Sequence, residues 1–198
     1  MDTVTKKYIE TVQVSDIPWH RLTTSYGRGT DFPNQFDVLW KMDSIEAVDM
    51  AGEDIALNIE HQSTLWHATP FAMIFLLRVF KKAQEESAQN EVAHYLAEQL
   101  VELFTVIAEC IRDGLLLEHA DPLPCFEDML NEEYLWSEEY DEDEDVLRFE
   151  EDDVFPDDLF FSFYYYSQQV LLLAIPLLDT SDEGEANLLE LISANRSV

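Results

Sequence analysis

His61 and His67 stand six residues apart with His20 upstream, and imidazole is both the commonest metal ligand and the side chain that titrates nearest neutrality. With neighbouring carboxylates they would form the donor set of a metal-dependent hydrolase, the ion polarising a substrate and activating a water. The spacing fits no standard zinc pattern, and no cysteine pair accompanies it. The favoured reading is structural: His61, Gln62 and Thr64 satisfy amides and carbonyls in a polar knot between two helices. His94 and His119 read as a helix-surface and a helix-end residue.

Asp141-x-Asp143-x-Asp145 opens like an EF-hand loop, in which the first, third and fifth residues ligate calcium. The sharp turn at the sixth position calls for glycine and meets Val146; the twelfth calls for glutamate and meets Asp152. No specific calcium site is expected, and no metal or cofactor of another kind. The chain also lacks a Gly-x-Ser-x-Gly elbow, a P-loop, a dinucleotide fingerprint and a cysteine in nucleophile context. Carboxylates are so abundant that choosing two as an acid–base pair would be arbitrary. The expectation is a protein that is not an enzyme.

The remaining chemistry is charge. The chain holds 42 acidic and 11 basic residues, a formal charge of −31. Such an excess argues against binding nucleic acid or an anionic membrane, both of which rely on Lys and Arg to neutralise phosphate. It favours a basic partner, or serves solubility alone. The acids crowd between Glu132 and Asp158, where Arg148 is the sole base, and eight of the eleven bases lie at or before Lys82. Within this belt Tyr134, Trp136 and Tyr140 are interleaved with Glu138, Glu139, Asp141, Asp143 and Asp145. Aromatic anchors supply affinity and acids steer an encounter, so these eight residues form the candidate surface for a basic protein. The plainer alternative is a solvated loop.

The elements that must position this belt are helical. Thr69-Pro70 opens a stretch, Phe71 to Phe80, that is apolar on nearly every side, the mark of a central buried helix. It is too short to span a bilayer, which takes about 20 apolar residues. Before it, a helix with Pro33 in its first turn carries Phe36, Leu39 and Trp40. A second, opened by a capping box of Asp43 and Glu46, carries Ile45, Val48, Ala51 or Gly52, Ile55 and Ile59. After it, Glu91 to Arg112 has apolar residues at helical spacing with Gly114 as its C′ residue, and Asp121-Pro122 opens another helix through Tyr134.

The Phe160 to Ser167 run, FFSFYYYS, reads as the core of a last major helix, with an aromatic ligand pocket as the lesser alternative. Pro176 interrupts that helix, and Glu185 to Ser193 forms a small amphipathic one. Residues 1–14 fit an extended arm or a short helix. Cys110 and Cys125, with no export signal upstream, read as reduced thiols of a cytoplasmic protein. The whole is expected to be one all-α domain over 1–198, with helices over 15–130, the acidic segment over 132–158 and C-terminal helices over 156–195.

Ile17-Pro18-Trp19, Tyr26-Gly27-Arg28 with Asp31-Phe32-Pro33, His61-Gln62-Ser63-Thr64, and Ala68-Thr69-Pro70-Phe71 with Phe75-Leu76 together resemble a bacterial group of HEAT-repeat-like proteins. The group's pattern has Ala where this chain has Gly29 and Gly where it has Ser63. The resemblance covers residues 15 to 82 and implies stacked antiparallel helical hairpins, an α-solenoid fragment. It carries no catalytic site. By analogy with small proteins of this style, it implies a non-enzymatic binding module of immunity or antitoxin type. The alternatives from other classes are the metal-dependent hydrolase using His61 and His67, and a housekeeping scaffold charged only for solubility.

Overall fold

The structure, a computed structural model, describes residues 1–114, 121–150 and 156–195. Among these, eight α-helices carry the fold: α1 (Thr3–Thr11), α2 (Phe32–Lys41), α3 (Ile45–Ile59), α4 (Thr69–Glu86), α5 (Glu91–Gly114), α6 (Glu142–Glu150), α7 (Asp157–Leu171) and α8 (Glu183–Ala194). Two antiparallel hairpins of two-residue strands join them: β1 (Thr23–Thr24) with β2 (Gly27–Arg28), and β3 (Glu60–His61) with β4 (Thr64–Leu65). The protein is all-α, and no helix among the described residues is long and apolar enough to cross a membrane.

Helix α4 is the centre. Every residue from Thr69 to Leu77, then Val79, Phe80 and Ala83, is buried, because α2, α5 and α7 all pack on it. Thr69 is not its N-cap. Ala68 holds the cap position, and Thr69 is the first helical residue. The Thr69 Oγ1 instead accepts the Trp66 amide at 2.8 Å and donates to the Ile59 carbonyl at 2.5 Å. Those two bonds tie the α4 start to the α3 end. The α3 cap shifts the other way, one residue later than the Asp43–Glu46 box, with the Ser44 hydroxyl accepting from the Ala47 amide.

The stripes are mostly as spaced: Val48, Ala51, Ile55 and Ile59 of α3 and Phe36 and Leu39 of α2 are buried, whereas Ile45 and Trp40 are exposed. Trp40 is covered on one face by Lys82, whose ammonium sits 5.1 Å from the ring centroid. The segment after Pro122 is not an α-helix. It forms two 3₁₀ turns, Phe126–Leu130 and Glu132–Tyr134, parted by the extended Asn131. Residues 3–11 are helical because the Asp2 carboxylate accepts the Val4 and Thr5 amides.

Helix α7 is buried on both sides, and its aromatic run is spent in the core. Tyr166 packs on Phe126 with centroids 4.7 Å apart and donates to the Leu123 carbonyl at 2.6 Å. Ser162 accepts the Leu123 amide at 2.8 Å. Helix α8 lies on α5 and starts from the cap Asp182, while Pro176 sits in a 3₁₀ turn beyond α7.

Two helical glycines have opposite reasons. Gly114 does not stand past α5 in a left-handed conformation; it is the buried last residue of that helix, and a Cβ there would fall 2.1 Å from the Tyr164 ring. It is glycine so that α7 can approach. A Cβ on Gly52, midway along α3, would meet nothing within 4 Å. Gly52→Ala should therefore stabilise the protein by about 0.5–1 kcal/mol, the helical cost of glycine. Gly114→Ala should destabilise it by about 1–3 kcal/mol through overpacking. Denaturant unfolding of the two variants checks both signs.

Candidate partner-binding surface

The acidic segment is held by two arginines that precede it by over a hundred residues. Arg28 is presented by β2, where Gly27 turns the chain at φ +123, a conformation that favours glycine. Its guanidinium is nearly buried and grips Asp145 in α6 with both arms, Nε to Oδ2 at 2.7 Å and Nη2 to Oδ1 at 2.6 Å. The same group donates to the carbonyls of His20 at 2.9 Å and Ser137 at 2.7 Å. It also lies 5.4 Å from the Trp136 ring centroid and 5.3 Å from that of Tyr140. A planar donor fork suits this arrangement in a way that an ammonium would not.

Arg21 makes the second fastening. Its Nη2 and Nη1 donate to the two carboxylate oxygens of Glu132 at 2.6 and 3.0 Å, and its Nε donates to the Trp136 carbonyl at 2.5 Å. The Arg21 hydrogen bonds hold the Glu132 carboxyl below the usual carboxylate range, and Glu132 in turn raises Arg21. His20 Nε2 lies 3.0 Å from Glu138. Between the arginines, the Trp136 indole donates to Thr23 Oγ1 at 2.8 Å, and its amide donates to the Arg21 carbonyl at 3.0 Å. The segment is thus an ordered strap laid over the first hairpin.

The eight expected surface residues divide accordingly. Trp136 and Asp145 are corrected: both are buried, one as the strap's anchor in the fold and the other as the counter-ion of Arg28. Tyr134 is half-buried against the core. Glu138 is exposed but sits beside His20 and Arg21. Glu139, Tyr140, Asp141 and Asp143 face solvent, with Tyr140 66% exposed. Arg21, Arg28, His20 and Thr23 are not among the expected surface residues, and His20 reads from the sequence only as a candidate metal ligand. The one hint of them was that Arg21 and Arg28 are the only Lys or Arg between Lys7 and Lys41.

The histidines of the metal reading stand apart. His67 is fully buried, stacked on Phe163 with centroids 5.3 Å apart, and its Nε2 meets the Met129 carbonyl at 2.7 Å. His61 lies edge-on to Tyr26 in the second hairpin, and His20 sits at the strap. Among the described residues, no three His, Cys, Asp or Glu gather to hold an ion. The Asp141-x-Asp143-x-Asp145 run is a helix start: Asp141 accepts the Asp143 and Glu144 amides at 3.0 and 3.1 Å, and Val146 is inside α6. Asp152 lies outside the described residues, as do the acids at 151–153, His119 and Arg196. In place of the expected knot of His61, Gln62 and Thr64 stands a tight hairpin with Gln62 and Ser63 both left-handed, closed by the Ser63 amide on Glu60 at 2.9 Å.

Both cysteines are free thiols, and burial beside Glu60 pushes Cys110 up to about 12. No family model, curated protein or solved structure matches the chain.

Two predictions test the strap. Arg28→Met strands the buried Asp145 carboxylate and should cost about 3–5 kcal/mol, while the double variant Arg28→Met with Asp145→Leu should cost less than either single change. Denaturant unfolding of the three variants measures this. Glu132, being depressed by Arg21, adds stability that is present above its ordinary value of 4.5 and is lost as pH falls through its lower folded value. The hydrogen-exchange protection factors of the Leu135 and Trp136 amides should therefore fall below about pH 4.5, and Arg21→Gln should abolish that step.

Proposed function

We propose that this protein is a non-enzymatic binding module that engages a basic protein through the outer face of its acidic strap. The observation that carries this reading is the exposed Tyr140, set among Glu139, Asp141, Glu142, Asp143 and Glu144, none of which pairs with a base among the described residues. A solvated charge run needs no fixed shape. Here the chain spends its scarce arginines, one of them nearly buried, on holding the run in place. An ordered aromatic within an ordered anionic field is what a basic partner requires: pre-paid ordering for affinity and a potential for capture. A protein whose surface is shaped for phosphates meets similar charge here, so a nucleic-acid-directed toxin that this module blocks is the partner chemistry that fits best.

The test is capture of the partner from source cells followed by kinetics on the purified pair. The association rate should fall on the order of tenfold or more between about 50 and 500 mM NaCl, and a salt-independent rate would contradict the reading. Glu139, Glu142, Asp143 and Glu144 make no side-chain contact with the arginine clasp. Reversing these four to Lys should weaken binding on the order of a hundredfold.

A further inference from the structure

Away from the strap residues, α3 and α5 leave an open groove of about 440 Å³ between them. Leu57, Leu96, Leu103 and Val106 give it an apolar lining, and Leu57 and Val106 are 54% and 40% exposed. Gly52 lies in the same groove, and the empty space that a Cβ would find there is the groove itself. The rim is acidic throughout: Asp49 and Glu53 from α3, Glu60 at its end, and Glu102 from α5, with no basic residue in the lining. None of these four carboxylates is paired with a base among the described residues.

We infer that this groove receives a basic amphipathic helix from a partner protein. Its walls are two helices whose backbone amides and carbonyls are already bonded along their own axes, so it offers no edge to an extended peptide. An occupant must satisfy its own backbone, which a helix does. The lining runs from Val48 to Glu60, about 18 Å of helix, matching three turns with apolar anchors at i, i+3 or i+4, and i+7. The anionic rim, where Asp49 accepts the Tyr95 hydroxyl and Glu60 the Ser63 amide but no base is bound, selects Lys and Arg flanking those anchors. A second copy of this chain carries the same charge of −31 and is repelled. The groove is a different set of residues from the strap, and the inference stands without it.

The experiment uses the intact protein and a fluorescein-labelled Leu/Lys peptide of about fourteen residues, patterned as an amphipathic helix. The control is a scrambled peptide of equal composition, compared by anisotropy at about 150 mM NaCl, where exposed charges beyond roughly 8 Å are screened. The amphipathic peptide should bind at least tenfold more tightly than the scrambled one. Gly52→Trp, which fills the groove, and Leu57→Lys, an exposed change that the fold tolerates, should each remove that preference. Reversal of the four strap acids should leave the preference in place, which separates this inference from the strap proposal. Equal binding of the scrambled peptide, or a preference that survives both groove variants, overturns it. So does a dimer seen by sedimentation and abolished by Leu57→Lys, which would assign the groove to a second copy.

Discussion

The bidentate pair between Arg28 and Asp145 is the interaction on which the outer architecture depends. A guanidinium with almost no exposure cannot remain there unless its donors are used, and they are used by Asp145, Ser137 and His20 together. The consequence is mutual. The loop of the first hairpin is braced by the acidic segment, and the acidic segment acquires a shape that Tyr134, Leu135 and Trp136 supply little apolar surface to fix by themselves. Helix α6 shows the same economy. It begins with four acids in its first turn, which suits the positive end of a helix, and the buried Asp145 carboxylate faces the nearly buried Arg28.

Beneath this polar layer lies a core arranged around α4. A helix buried on every side needs neighbours on every side, and α2, α5 and α7 supply them. Aromatic rings fill the seams: Trp19 against Phe32, Phe36 and Phe75 at one end, and Phe126 against Tyr8, Phe71 and Tyr166 at the other. Two polar side chains inside this core bind backbone: Thr69 binds Ile59 and Trp66, and Asn195 donates to the Ala108 carbonyl. The rigid interior lets the surface carry so large a negative charge, because hydrophobic burial is what offsets self-repulsion.

Charge and apolarity combine differently on the two proposed surfaces. On the strap, a single exposed ring stands in a field of carboxylates. In the groove, a continuous apolar floor has carboxylates only at its edge. Both suit cationic partners, but the strap rewards long-range attraction, whereas the groove rewards shape.

Helices α2 to α5, α7 and α8, the buried centre at Phe71 to Phe80, and the core role of the Phe160 to Ser167 run were legible in the residues, whereas α6 was not and the helix expected after Pro122 is a pair of 3₁₀ turns. Each of those depends on spacing within about one helix, which period and punctuation report directly. The helix boundaries shifted by a residue at Ser44 and Thr69, because a hydroxyl there found a partner in another element or one position along. Nothing in the spacing around Gly114 distinguishes a helix terminator from a contact with Tyr164. The acidic belt shows the limit most plainly. Composition determined that it is anionic and aromatic, and that the bases lie far upstream. Only tertiary structure decided that Trp136 and Asp145 turn inward while Tyr140 stays out, because that choice rests on Arg21 and Arg28, which lie more than a hundred residues away in sequence and come within hydrogen-bonding distance only once the chain has folded.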